Sequence, residues 1–249
     1  MHHEHIVDLY ERHARDFDRD RSRSLQEKVW LDRFIELLGS ARTVLDAGCG
    51  MGEPLARYVI EQSCRVIGID SSPSMIAMCR ERFPGAEWLV SDMRALDLGR
   101  QFDGVLAWDS FFHLSADDQR AMFPRFAAHA RHGAPLMFTA GYESGEEVGC
   151  YEGEPLFHAS LDPAEYERLL SSNGFSVHAY KELDRECGEH TIWLARSDDS
   201  AALERKRLLN AEAPVRRVGA QPHERDRSPT PHPHVRGFER ESWFPGRAG

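Results

Sequence analysis

The sequence predicts an α/β protein built on a doubly wound, mostly parallel sheet. Three observations carry this prediction. Residues 43–52 read as a short apolar strand that ends in an acid and a glycine-rich loop. Residues 65–70 repeat the pattern of an apolar strand ending in an acid, and two more strand patterns follow at 88–90 and 102–109. Helical patterns separate these strands, and such alternation indicates parallel strands joined by crossover helices.

The glycine-rich loop predicts a nucleotide site. Residues 43–52 read T-V-L-D-A-G-C-G-M-G, with Gly48, Gly50 and Gly52 at every second position and an apolar helical stretch after them. Glycine lets the backbone turn sharply and lets a ligand approach the main chain. The helix that follows begins with unpaired N–H groups directed towards that ligand.

Two details of the loop favour S-adenosylmethionine over a dinucleotide. The dinucleotide fingerprint G-x-G-x-x-G requires a third glycine where this chain has Glu53, and its actual third glycine, Gly52, comes one residue early. Asp46 also precedes the first glycine. A carboxylate there repels pyrophosphate but suits a ligand that carries ammonium and sulfonium charges.

The second strand strengthens this interpretation. Arg65–Asp70 ends in an acid 22 residues beyond Gly48, a position from which a carboxylate accepts both hydroxyl hydrogens of a ribose. Ser72 and Pro73 then predict the N-cap and first residue of a helix. A third strand, 88–90, leads into Ser91-Asp92-Met93, and the fourth leads into Trp108-Asp109.

In the order and spacing of these four motifs, residues 5–197 resemble the class I S-adenosylmethionine-dependent methyltransferases. The resemblance implies a Rossmann-like seven-stranded sheet with an antiparallel last strand, S-adenosylmethionine as cofactor and S-adenosylhomocysteine as product. It also implies a helical cap at 1–39 and a catalytic domain at 40–197. The composition of residues 198–249 predicts a charged, Pro/Arg-rich tail that is largely disordered beyond about 211.

Carried onto this sequence, the resemblance implies a cofactor site. Asp46, Gly48 and Gly50 lie along the methionine part, Asp70 holds the ribose, and Asp92 with the Met93 backbone meets adenine. The complete predicted set is Asp46, Ala47, Gly48, Cys49, Gly50, Asp70, Ser71, Met75, Asp92, Met93 and Trp108.

The acceptor side is less clearly marked. The pattern of Tyr10, Ala14, Phe17-Asp18 and Arg21 resembles the family's cap signature Y-x-x-x-A-x-x-[YF]-D, whose tyrosine closes over the reactive end of the cofactor. His113 follows the fourth strand and is the candidate general base, although a histidine with a purely structural role fits as well. Asp109, Tyr142 and His158 are the candidate substrate-binding residues.

Further elements are predicted along the chain. The cap is expected to be helical and broken near 16–24. A helix at 116–132, a fifth strand at 135–139, a loop over the site at 142–158, a helix from Asp162 to Gly174, and closing strands at 175–183 and 190–196 follow.

Composition restricts the partners. The net charge is −10, and because residues 198–249 hold 10 Lys and Arg against 8 Asp and Glu, residues 1–197 carry 21 against 33, or −12. Such acidity disfavours a nucleic-acid substrate, which needs a basic surface. We expect no membrane span and no signal peptide, and the scattered five cysteines indicate reduced thiols and a cytoplasmic location.

The sequence therefore predicts methyl transfer to an oxygen or nitrogen of a small molecule such as a carboxylic acid, hydroxyl or amine. A protein or RNA methyltransferase and a non-catalytic cofactor-binding regulator are the alternatives. An N/D-P-P-Y/F motif is absent after the fourth strand, which disfavours adenine or glutamine methylation. We expect no metal, since the histidines at 2, 3 and 5 have no acid at ligand spacing. The oligomeric state is left open.

Overall fold

The central sheet has seven strands in the order β3-β2-β1-β4-β5-β9-β8. The structure, a computed structural model, describes residues 5–198; the predicted tail from residue 199 onward, and His2 and His3, lie outside them. The strands of this sheet are β1 (Thr43–Ala47), β2 (Arg65–Asp70), β3 (Glu87–Val90), β4 (Gly104–Ala107), β5 (Pro135–Ala140), β8 (Phe175–Asp184) and β9 (His190–Ser197).

The pairing explains where a ligand can enter. Strand β1 pairs in parallel with β2 on one side and β4 on the other, and β9 runs antiparallel between β5 and β8. The chain thus winds outward in one direction from β1 and in the other from β4. Open sheets bind ligands at the carboxyl ends of the two strands where this reversal occurs. The predicted seven-stranded sheet with an antiparallel last strand is confirmed.

Within residues 5–198, seven α-helices surround the sheet and cap its edge. They are α1 (Ile6–Arg12), α2 (Ala14–Asp20), α3 (Lys28–Glu36), α4 (Leu55–Glu61), α5 (Pro73–Arg82), α6 (Ala116–His129) and α7 (Pro163–Ser172). Ser72 caps α5 by accepting a hydrogen bond from the Met75 N–H, as predicted. None of these helices is both long and apolar enough to cross a bilayer.

Apolar residues pack on both faces of the sheet because its strands are buried on both sides. Leu45 and Ala47 of β1 lie in a core with Phe123 of α6, whereas Val44 lies in a second core with Phe34 of α3. The alternation along β1 follows from the two-residue period of a strand.

One prediction about irregular segments was correct in part and another was wrong. The cap is helical, but it breaks at His13 and again at residues 21–27, which overlap only the end of the predicted 16–24, because α2 continues to Asp20 before Arg21 leaves the helical region. Residues 142–158, predicted as a loop, contain most of a β-hairpin of β6 (Gly145–Tyr151) and β7 (Glu154–Ser160). The glycines and glutamates of β6 face water and show no alternating apolar pattern, so the strand was not visible in the sequence.

The hairpin closes through a two-residue turn. Glu152 and Gly153 both have positive φ, 48° and 79°, as a type I′ turn requires. The apolar side chains of β7, Leu156 and Phe157, pack with Ile6 and Leu9 of α1. The hairpin therefore supports the first cap helix from outside the sheet.

Substitution of Phe34 tests how α3 packs on the sheet. Its ring is fully buried, so we expect Phe34→Ala to lower the free energy of unfolding by about 3–5 kcal/mol, through lost burial and the cavity left behind. Val29→Ala on the same helix is the control, because Val29 is 55% exposed and its loss should change stability by less than about 0.5 kcal/mol. Urea denaturation measures both, and equal losses would contradict this packing.

Candidate functional site

A cavity of about 1120 Å³, counted with its open mouth, lies at the carboxyl ends of β1, β2 and β4. Helices α1 and α2 contribute Ile6, Val7, Tyr10 and Phe17 to its wall. Glu11 on α1 fastens this cover to α5, since its carboxylate accepts hydrogen bonds from the Ser72 hydroxyl at 2.5 Å and from the Ser74 N–H at 3.0 Å.

The glycine loop is held tightly against β2. The N–H groups of Gly48 and Cys49 both donate to the Ile69 carbonyl, at 2.8 and 3.0 Å. Gly48 has φ of +79°, and a Cβ atom there would lie 2.3 Å from the Ser110 Cβ. Conformation and space both require glycine, so the loop passes directly beneath the turn after β4.

Asp70 joins the loop to the start of α5. Its carboxylate accepts hydrogen bonds from the backbone N–H groups of Gly50 and Ser72, both at 2.9 Å. Burial raises the pKa of Asp70, while the bonds from Ser72 and Gly50 oppose that rise. This carboxylate is therefore a structural fastening as well as a ligand candidate.

Asp46 is buried without compensation. Its side chain is 5% exposed and lines the cavity, and across residues 5–198 no group donates a hydrogen bond to its carboxylate. Burial, together with the negative charge of Asp70, raises the pKa of Asp46 to about 7. A buried carboxylate in this situation needs a cation or a donor from outside the protein.

The far end of the cavity is lined by Ser71, Met75 and Met93. The Asp92 carboxylate there accepts hydrogen bonds from the Arg94 backbone N–H and guanidinium, at 2.6–3.1 Å. Asp92 thus has its main partner within the protein.

Tyr10 and His113 form a hydrogen-bonded dyad at the covered end of the cavity. The Tyr10 hydroxyl lies 2.9 Å from His113 Nε2, and His113 Nδ1 lies 2.9 Å from the Phe157 carbonyl oxygen of β7. Burial lowers the pKa of His113 to about 4 and raises that of Tyr10. Both groups are consequently neutral near pH 7, and the hairpin fixes the orientation of the imidazole.

Unlike Asp46, Asp109 is paired with basic side chains. His190 Nε2 of β9 lies 2.8 Å from one of its oxygens, and Arg21 lies 3.3 Å from the other. Burial alone would raise the pKa of Asp109, but the charge and hydrogen bond of His190, with the charge of Arg21, hold it at about 2. Burial likewise opposes charge on His190, yet Asp109 raises its pKa to about 9.

The structure places most of the predicted residues around one cavity. Of the predicted cofactor set, Asp46, Gly48, Cys49, Gly50, Asp70, Ser71, Met75, Asp92, Met93 and Trp108 line it, and so do Tyr10, Asp109 and His113. Ala47 does not line it; its side chain is in the core and its carbonyl accepts a hydrogen bond from Ser110.

Two predicted substrate-binding residues are not brought to the cavity. His158 lies behind His113, with ring centroids 4.9 Å apart, because β7 turns this side chain towards the segment after β4. Burial and the neighbouring His113 lower its pKa to about 3. Tyr142 lies in the turn after β5 and is not part of the cavity wall.

The sequence did not indicate the roles of three residues that shape this site: Glu11 and His190 were not predicted, and Arg21 was named only as part of the cap pattern. Each acts through a partner that is distant in sequence; His190 and Asp109, for example, are 81 positions apart. Only Arg21 had a local signal, its place beside the cap signature. Among the described residues there is no group of three or more side chains suited to hold a metal ion.

The Asp109–His190 ion pair predicts a pH-dependent stability difference. The raised pKa of His190 contributes stability that is complete below its ordinary value of 6.5 and is lost as pH rises through about 9. We expect His190→Gln to lower the free energy of unfolding by roughly 2–3 kcal/mol at pH 6 and by clearly less at pH 9.5. Urea denaturation at both pH values measures this.

Exposed His178 on β8 provides the matched control, and His178→Gln should leave stability nearly unchanged at both pH values. A loss for His190→Gln that is the same at pH 6 and pH 9.5 would contradict the ion pair.

Comparison with known proteins places this geometry in context. Residues 44–133 match a methyltransferase domain family. The chain is 34% identical over 100 residues to trans-aconitate 2-methyltransferase of Azoarcus sp., covering 40% of this chain and 39% of the relative. It is 37% identical over 119 residues to dTDP-3-amino-3,6-dideoxy-alpha-D-glucopyranose N,N-dimethyltransferase of Streptomyces fradiae, covering 43% and 46%. The matches thus span less than half the length of these relatives.

Solved structures share the fold. The amino pentose methyltransferase CalS10 of Micromonospora echinaspora superposes with a TM-score of 0.57 at 21% identity, covering 72% of this chain and 92% of its own. Magnesium protoporphyrin IX methyltransferase of Synechocystis gives 0.59 at 18% identity, covering 80% and 98%. Residues 44–133 of the chain are thus a methyltransferase domain, and they lie in a seven-stranded sheet whose fold these solved methyltransferases share.

Proposed function

We propose that this chain transfers a methyl group from S-adenosylmethionine to an oxygen or nitrogen of a small molecule. The observation that carries the proposal is the Asp46 carboxylate, which is buried beside the glycine loop and receives no hydrogen bond from residues 5–198. A ligand with ammonium and sulfonium charges supplies the cation that this carboxylate needs.

The other residues of the cavity fit the same ligand. Asp70 directs its carboxylate to the loop while two of its acceptor sites are used by Gly50 and Ser72, and a carboxylate has about four such sites, so ribose hydroxyls have acceptors left. Ser71, Met75 and Met93 form the opposite wall for the flat base. When bound, S-adenosylmethionine supplies an electrophilic methyl group attached to a positively charged sulfur.

Enclosure favours a small acceptor. Ile6, Val7 and Tyr10 of α1 close the cavity beside Leu114, and the hairpin supports α1 from behind through Leu156 and Phe157. Such a covered pocket excludes water and holds two reactants in line, which lowers the barrier of a displacement reaction. Relatives named for a sugar amine and for trans-aconitate agree with a small acceptor.

The Tyr10–His113 dyad supplies a proton acceptor at the covered end. Burial keeps the imidazole neutral near pH 7, with its pKa at about 4, so it is able to take a proton as the acceptor becomes nucleophilic. The Tyr10 hydroxyl occupies the Nε2 atom of His113, so the proton passes through the phenol. The five cysteines are free thiols, which supports the predicted cytoplasmic location.

Asp46→Asn tests the proposed function. The substitution keeps the shape of the side chain and removes the charge, so we expect the affinity for S-adenosylmethionine and S-adenosylhomocysteine to fall about 100-fold or more, as for the loss of a buried charge-assisted contact. Titration calorimetry measures both ligands. Asp97→Asn is the control, since Asp97 is exposed and outside the cavity wall.

The pH dependence provides a second readout from the same variant. The pKa of Asp46 is about 7 in the free protein, and a bound cation lowers it, so affinity should fall about tenfold per unit below pH 7 and level off above it. The variant should lose the part of this dependence that comes from Asp46. Asp70→Ala is a poorer test, because Asp70 also holds the glycine loop. Wild-type binding by Asp46→Asn would overturn the proposal.

A further inference from the structure

We propose that the methyl acceptor presents a hydroxyl or an amine N–H to the Tyr10 oxygen and is not a carboxylate. This inference rests on the proposed function and narrows its substrate class. It depends on three features of the described residues: the direction of the hydrogen bonds in the dyad, the pairing of the arginines that line the cavity, and the apolar wall of its covered end.

The dyad has only one consistent arrangement of protons. The Phe157 carbonyl can only accept, so the Nδ1 atom of His113 carries the proton in that 2.9 Å bond. In the neutral imidazole Nε2 then has only its lone pair, and the Tyr10 hydroxyl must donate to it across 2.9 Å. The Tyr10 oxygen, whose own proton is used, therefore offers the cavity lone pairs and no donor.

A carboxylate finds no positive partner in the cavity wall. Within residues 5–198 that wall contains two arginines and six acids. Arg21 is paired with Glu27 at 2.9 Å and with Asp109 at 3.3 Å. Arg94 is paired with Asp92 at 2.6 Å and lies 3.8 Å from Asp118. Since each arginine already neutralises acids of the protein, an anionic acceptor would meet a surplus of negative charge.

Among the residues that the structure describes, the apolar side chains at the covered end have no hydrogen-bond donor to offer an anion. Ile6, Val7 and Leu114 are its apolar wall, and the hydroxyl of neighbouring Ser115 donates to Asp118 at 2.9 Å. Moving a carboxylate from water to such a place costs several kcal/mol without a compensating donor. A hydroxyl or amine enters at far lower cost and gives its hydrogen to Tyr10.

The proton balance of the reaction agrees with a Tyr10 oxygen that accepts a hydrogen from the methyl acceptor. The acceptor oxygen or nitrogen forms a bond to the methyl carbon as the carbon–sulfur bond breaks, and that electron pair remains on sulfur. The hydrogen displaced from the acceptor moves to the Tyr10 oxygen while the phenolic proton moves to His113 Nε2. A carboxylate has no hydrogen to transfer, so the dyad would accept no proton in its methylation.

The test uses the full chain with methyl-tritiated S-adenosylmethionine and matched compound sets. Each set has the same small aromatic and sugar skeletons, ending in a hydroxyl, an amine or a carboxylate. Mild base releases label from methyl esters but not from methyl ethers or methylamines, so the label reports the acceptor group. Tyr10→Phe and Tyr151→Phe are compared, since Tyr151 stacks 6.3 Å from Tyr10 without lining the cavity.

We expect base-stable label from the hydroxyl and amine sets at least tenfold above the carboxylate set. Tyr10→Phe should reduce kcat for these acceptors at least tenfold with unchanged S-adenosylhomocysteine affinity, and Tyr151→Phe should stay near wild type. Base-labile label at an equal or higher rate, or no label from a chain that binds S-adenosylhomocysteine, overturns the inference. Failure of wild type to bind S-adenosylhomocysteine at all instead overturns the proposed function, so the two failures are distinguishable.

Discussion

The site depends on three carboxylates that folding removes from water at the ends of β1, β2 and β4. Each is compensated differently. Asp109 has a histidine and an arginine, and its pKa falls to about 2. Asp70 has two backbone N–H groups, which only partly oppose the effect of burial. Asp46 has neither, and its pKa rises to about 7. Desolvation raises the pKa of all three, so the difference between them comes from their partners within the protein.

The lack of a partner for Asp46 makes folding of the protein less favourable when no ligand is bound. A carboxylate whose pKa is higher in the folded than in the unfolded chain makes folding less favourable as pH rises between the two values. Asp46 is such a group, and a bound cation removes the penalty. Asp109 has the reverse sign and stabilises the fold across the neutral range, with His190 present in its charged form. The cavity wall therefore contains one carboxylate that opposes folding, Asp46, and one that stabilises the fold, Asp109.

The sequence could predict the groups whose position depends on local pattern. Asp46 and Asp70 end recognisable strands, and Gly48 occupies a loop that needs positive φ, so residues close in sequence determined their places. His190 could not be predicted and Arg21 was visible only as part of the cap pattern, because their pairing with Asp109 arises only when the cap and the last strand meet. The β6–β7 hairpin was missed for a related reason: its outer strand is polar and exposed, and it is stabilised by pairing with β7 and by packing on α1.

The family match covers one side of the cavity much more fully than the other. Residues 44–133 include the glycine loop, Asp70 and Asp92, and so cover the side proposed to hold the cofactor. The side proposed to hold the acceptor includes Tyr10 of α1 and Phe157 of the hairpin, both outside that range. His113 lies within it, but its imidazole is oriented by the Phe157 carbonyl. The acceptor of a relative therefore does not carry over to this chain, because the contacts proposed to select the acceptor include residues outside the range that the family match covers.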